Sequence, residues 1–310
     1  VKSKRKVLLG VVLIAAAVWG VLPSLAHFFV QEQIISLQQR GIKLRVDGLA
    51  GRRIGVEAEA VEGWIGVPLR GSQVALPVSV RIDRPEAMLY LPLTSPWSPA
   101  VRVNAEVYGG SLQASLGDVL SGGTLRGSLR GVDLPRHPQV MALGLESGVL
   151  DVQMQGHPLE GLPVNEAKYE ILVKNASLVV PGILRSYLKI DSVSDAELQA
   201  KGSLLGTGRF SVSSCTFKSS LGRADLKATG SLVGSRLREL SGTVTFDLNT
   251  TQGAQLRPWL GLLVPAADLG ASEGPILCNF QQQAGCRAGG PIQLNLGAGA
   301  CLRLECSPGE

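Results

Sequence analysis

Aromatic side chains and histidine are both scarce in this sequence. Aromatics make up 5% of 310 residues, and only His27, His137 and His157 are imidazoles. A histidine base needs a nucleophile and an orienting group within reach, and no neighbouring pattern nominates either. His137 and His157 each precede a proline, as solvated loop residues often do. Nucleophile-elbow, HExxH, Walker and complete GxGxxG patterns are also missing. Ser186 and Lys189 match SxxK without its companion motifs, and Gly206-Thr207-Gly208 is too short to cradle a phosphate. Glu57 and Glu59 lie two apart, which predicts one solvated strand face rather than a catalytic pair. The sequence therefore predicts a protein that is not an enzyme and holds no cofactor.

Acidic residues are missing from the first six positions, where Lys2, Lys4, Arg5 and Lys6 stand. Setting these four aside leaves 26 basic and 25 acidic residues, a net charge of +1 out of the whole chain's +5. A basic stripe of the kind nucleic acid requires is absent, so no nucleic-acid partner is expected.

The stretch after the basic tail is apolar: VLLGVVLIAAAVWGVLPSLAHFFV, Val7 to Val30. At 1.5 Å per residue a helix of this length covers a hydrocarbon core of roughly 30 Å. Positive charge before it keeps the amino end cytoplasmic, which places the later residues in the periplasm of a bacterium. Ser24 and Ala26 also satisfy a signal-peptidase site. The length of the run favours a retained signal-anchor over cleavage after Ala26, and either fate exports the rest.

The five cysteines agree with export. Cys215 stands alone and reads as a small packed hydrophobe, whereas Cys278, Cys286, Cys301 and Cys306 gather near the carboxyl end. Their spacing is not CxxC and no histidine lies near, so a metal site is not expected. Among three possible pairings, the short loops Cys278–Cys286 and Cys301–Cys306 are the simplest.

Strand signals dominate the remainder. Thirty-eight glycines and 17 prolines suit many short strands joined by tight turns. Residues 31–41 read as a short helical extension of the anchor, and the period then changes to two. In VRVNAEVYGGSLQASL, Val101 to Leu116, a turn at Gly109-Gly110 pairs Val107 with Leu112, Ala105 with Ala114 and Val103 with Leu116. All six lie on one apolar face, while Glu106, Gln113, Asn104 and Ser115 lie on the polar one. Met141 to Met154 repeats the design about a turn at Ser147-Gly148, facing Leu143 with Val152 and Leu145 with Leu150. A third block, Ala196 to Leu248, continues the alternation with smaller residues. Ala254 to Val264 is the best helix candidate after the anchor.

A basic tail, one apolar helix, the Val101–Leu116 hairpin, LRGSLRGVDL (Leu125 to Leu134) and LKATGSLVGSRLRELSGTVTFDL (Leu226 to Leu248) resemble the protein N (GspN) family of type II secretion systems. More broadly they resemble AsmA-related periplasmic proteins. The similarity covers roughly residues 1–264 and excludes the cysteine-bearing end. It implies a non-catalytic, single-pass inner-membrane component of type II protein secretion, with other secretion-system envelope proteins as partners. The AsmA relatives imply an alternative, a lipid carrier or envelope-assembly factor whose apolar face shields phospholipid.

The expected architecture is therefore all-β. It comprises a cytoplasmic tail (1–6), a transmembrane helix (7–30), the helical extension (31–41), a periplasmic domain of twisted, mostly antiparallel amphipathic strands (42–264), and a Cys/Gly-rich segment (265–310). A curved sheet, an open groove and a sandwich all satisfy this strand pattern.

Overall fold

The computed structural model describes Gln31, Glu32 and Ile35, and residues 43–308 except 53–54, 69–74, 91–99, 118–122, 143, 160–161, 181, 183–184, 187–188, 206–207, 234–235, 259–273, 285–292 and 298–299. The expected tail 1–6 and membrane span 7–30 lie outside the described residues, and of 31–41 only three positions, all helical, lie within them. Among the described residues no helix is long and apolar enough to cross a membrane. The described chain is predominantly antiparallel β-sheet, organised in two compact units, Val1–Thr124 and Leu125–Glu310.

In the first unit, β1 (Lys43–Asp47) pairs with β4 (Ala60–Pro68), and β2 (Ala50–Arg52) with β3 (Gly55–Glu57). Both β3 and β4 pair with one edge of the long β5 (Ala75–Tyr90), whose other edge takes β6 (Ala100–Val107). Glu57 ends β3, whereas Glu59 lies in the bend before β4, so the two carboxylates do not share a strand face. The bend is held by backbone bonds from Glu59 N–H to Asp47 O and from Arg84 N–H to Glu59 O.

Strand β6 returns through a two-residue turn into β7 (Gly110–Gly117). The turn is Tyr108-Gly109, not the expected Gly109-Gly110. Both residues have positive φ, 46° and 81°, the conformation that matches the twist of a hairpin. Tyr108 reaches back to β5, where its hydroxyl accepts from Arg81 N–H at 3.3 Å. Ala105 consequently faces Leu112, Val103 faces Ala114 and Val101 faces Leu116, while Val107 faces Gly110. Every partner moves by two residues, so the faces are unchanged: Ala105 and Val107 are buried and Glu106 is exposed.

The second unit is a meander. Strands β8 (Thr124–Asp133), β9 (Leu145–Leu159), β10 (Leu162–Val179), β11 (Ser192–Leu205), β12 (Arg209–Ser219), β13 (Gly222–Val233), β14 (Arg236–Asp247) and β15 (Ile276–Ala284) each pair antiparallel with the next. Strand β17 (Ala300–Pro308) follows β15, and β16 (Gln293–Gly297) lies beyond it. Positions 264/265 therefore mark no end to the sheet, because β15 and β17 extend it. Short helical turns cover Leu134–Arg136, Pro138–Ala142 and Thr251–Ala254. Thr250 caps the last of these, its side chain accepting from Gly253 N–H. Most of the helix expected over 254–264 lies outside the described residues.

The hairpin expected at Ser147-Gly148 does not form, since both residues lie inside β9 and Met141 belongs to the preceding short helix. Gly148 serves close packing instead. A Cβ placed there would sit 3.2 Å from Ala176 Cβ and 3.3 Å from Leu134 Cδ1.

Candidate functional site

Side-chain alternation in the second unit sorts residues into two faces, and the registers line them up across strands. One apolar row runs Leu129, Val152, Ile171, Ala200, Cys215, Leu226, Val244, Cys278, Cys306 from β8 to β17. A parallel row runs Val132, Leu150, Val173, Leu198, Phe217, Ala224, Phe246, Ile276, Pro308. Bulges in β8, β10 and β12 absorb extra residues without breaking these rows.

Three of the aromatics on this face lie over glycines. Tyr169 is opposite Gly202, Phe210 opposite Gly230, and Phe280 opposite Gly242. A Cβ at Gly230 would sit 2.6 Å from Phe210 Cζ, and one at Gly202 would overlap the Tyr169 ring. Each ring covers backbone that a glycine leaves bare.

The apolar face is tightly closed at one end. Ile276 and Cys278 are 1% exposed and pack with Val244, Phe246, Leu304 and Cys306. Cys278 and Cys306 are directly opposite and form a disulfide, replacing the expected Cys278–Cys286 and Cys301–Cys306 pairings. The reason is topological: the chain leaves the sheet after β15 and returns as β17 alongside it, so the sheet juxtaposes the more distant pair. Cys286 lies outside the described residues. Cys301 is placed in β17 by its backbone alone. Toward β9 and β11 the face is more open, with Met154 36% and Leu204 41% exposed.

Of the residues expected on the apolar face, Val103, Ala105, Val107, Leu112, Ala114 and Leu116 belong to β6 and β7 of the first unit. Leu150 and Val152 occupy the two rows of the second unit, and Leu145 opens β9 opposite Leu178. Leu143 lies outside the described residues. Cys215 stands within an apolar row, and burial, with a smaller contribution from the Asp225 charge, pushes its thiol pKa up, away from the reactive thiolate.

The opposite face is polar and cross-linked. Ser203 and Ser211 hydroxyls are 3.0 Å apart, and Thr216 donates to Asp225 at 2.6 Å. Lys201 and Gln199 donate to Glu170, and these hydrogen bonds hold its carboxyl below the usual range. Arg223 does the same for Asp225, chiefly by hydrogen bonding. A cavity of about 600 Å³ opens over this face between β8 and β12. Nothing in the sequence pattern marks its basic and polar lining, although LRGSLRGVDL carries both Arg126 and Arg130 on one strand.

The remaining chemistry-bearing candidates are dispersed. Ser186 Oγ donates to Gly182 O at 3.1 Å, a bond within its own helical turn. The side chains of His27 and His157 lie outside the described residues. Among the described residues no three His, Cys, Asp or Glu side chains gather as a metal ion would require. What the geometry offers is two large surfaces, an apolar one and a polar one. No family model matches the chain, and neither a curated protein nor a solved structure is found to be similar to it.

Proposed function

We propose that this chain is a non-catalytic component of a bacterial type II protein secretion system, of the protein N kind. In this reading residues 7–30 anchor it in the inner membrane and its β-units stand in the periplasm, where they contact other envelope proteins of the machine. The carrying observation is the face-segregated antiparallel meander closed by the Cys278–Cys306 disulfide. Such a sheet offers broad contact surface, and a disulfide within it suits an oxidising compartment. Deleting the gene in its bacterium tests the reading. The expected result is that secreted enzymes accumulate in the periplasm and fall in the medium; undiminished secretion overturns it.

The exposure of Met154 and Leu204 favours a second reading, an AsmA-like carrier whose apolar face holds phospholipid. Organic extraction of the purified full chain followed by mass spectrometry separates the two. Stoichiometric phospholipid supports the carrier, and reproducibly lipid-free protein removes it.

A further inference from the structure

We infer that the polar face of the second unit carries a binding site for a phosphate ester of a polyol. The inference does not rest on the secretion reading, since it concerns the opposite face of the sheet from the apolar rows.

The cavity of about 600 Å³ has side-chain walls contributed by β8 to β12 and includes the backbone of Gly127 and Gly202 in its lining. That volume falls in the range of small-molecule sites. Arg126 is opposite Gln155, and Gln155 is opposite Lys168, so one polar row carries two cations on either side of an amide. With strands about 4.8 Å apart, their Cα atoms stand roughly 10 Å from each other, and both long side chains can converge on a group above Gln155. Arg130 lies further along the same strand as Arg126 and also lines the cavity.

The partners of these cations decide the ligand class. Lys201, in the same lining, is held by Glu170 at 3.0 Å. Among the described residues neither Arg126, Arg130 nor Lys168 has an ion-pair or hydrogen-bond partner. Three exposed cations facing one cavity attract an anion, and a guanidinium matches phosphate oxygens in bidentate geometry. Ser128 and Gln153 add neutral hydrogen-bonding groups to the lining, while the Ser213 hydroxyl donates to Lys201 O. Glu166, which among the described residues is the one lining carboxylate without a partner, repels a bare anion but accepts hydrogen bonds from hydroxyl groups. The combination selects a ligand with a phosphate at one end and hydroxyls at the other. Such a ligand is either a soluble sugar or glycerol phosphate, or the headgroup of an anionic lipid.

The test is saturation-transfer NMR on the full chain in non-ionic detergent, with sn-glycerol 3-phosphate as probe and glycerol as the uncharged control. Binding of the phosphate is expected, weakening between 50 and 300 mM salt as screening grows, at about 14 and 6 Å Debye length. The double variant Arg126→Gln, Lys168→Gln is expected to lose the signal at least about fivefold, a loss of the charge-assisted bonds. Lys227→Gln, on the same face but outside the cavity lining, leaves it unchanged. Circular dichroism of each variant should match the parent, because the replaced side chains are exposed. Competition by glycerophosphoglycerol, a deacylated lipid headgroup, identifies the source as lipid, and its failure to compete identifies a soluble ester. Equal signal from the double variant, or from glycerol and its phosphate, overturns the inference.

Discussion

The two ends of the second unit's apolar face are built from the same alternation yet differ in closure. At β14, β15 and β17, Ile276 and Cys278 are almost wholly removed from solvent and a disulfide bridges the strands. Near β9 and β11, Met154 and Leu204 remain more than a third exposed. Apolar burial contributes roughly 25 cal/mol per Å², so Ile276 and Cys278 contribute more to stability than Met154 and Leu204 do. The second end is left with surface available for contact. A sheet can therefore be fastened at one side and keep its other side for a partner, without any change in strand pattern.

Breaking the fastening is expected to have the largest effect. Replacing both Cys278 and Cys306 with serine opens a loop with a sequence separation of 28, worth about 3.6 kcal/mol on the chain-entropy scale. Urea denaturation of the oxidised parent and the variant measures the loss, and equal midpoints would show that the bridge contributes nothing. Next comes Ile276→Ala at the closed end, expected to cost about 3 kcal/mol, against about 1 kcal/mol or less for Leu204→Ala at the open end. Comparable costs at the two positions would mean that Leu204 is covered in the native protein.

The smallest effect belongs to the polar face. Hydrogen bonds from Arg223 depress the Asp225 carboxyl. The contribution is therefore present above the unfolded pKa, near 4, and is lost as pH falls through the lower folded value. The pair is largely solvated, so Asp225→Asn should change stability by less than about 1 kcal/mol, an effect that fades as pH falls from about 4 through the lower folded value. A difference that persisted at pH 2 would show that the effect is not electrostatic.

Two glycine-containing pairs show how far local pattern carries. Both Gly109-Gly110 and Ser147-Gly148 interrupt alternating apolar runs, and both read as turns. The first segment does turn, one residue earlier than the pattern suggests, because Tyr108 adopts positive φ and anchors on Arg81. The second runs straight, because Gly148 makes room for Ala176 and Leu134. Neither neighbour is visible from within the segment. The polar cavity was hidden for the same reason, since Arg126 and Lys168 lie 42 positions apart and meet only through the pairing of β8, β9 and β10.

By itself the sequence determined strand character and the division into faces. Alternation is a property of one strand, and a two-residue change of partner preserves it. Tertiary structure alone decided the registers, which glycines turn, which cysteines bond, and where the apolar face closes. Each of these depends on contacts between strands far apart in the chain, and the energy that selects among them appears only when the strands are side by side.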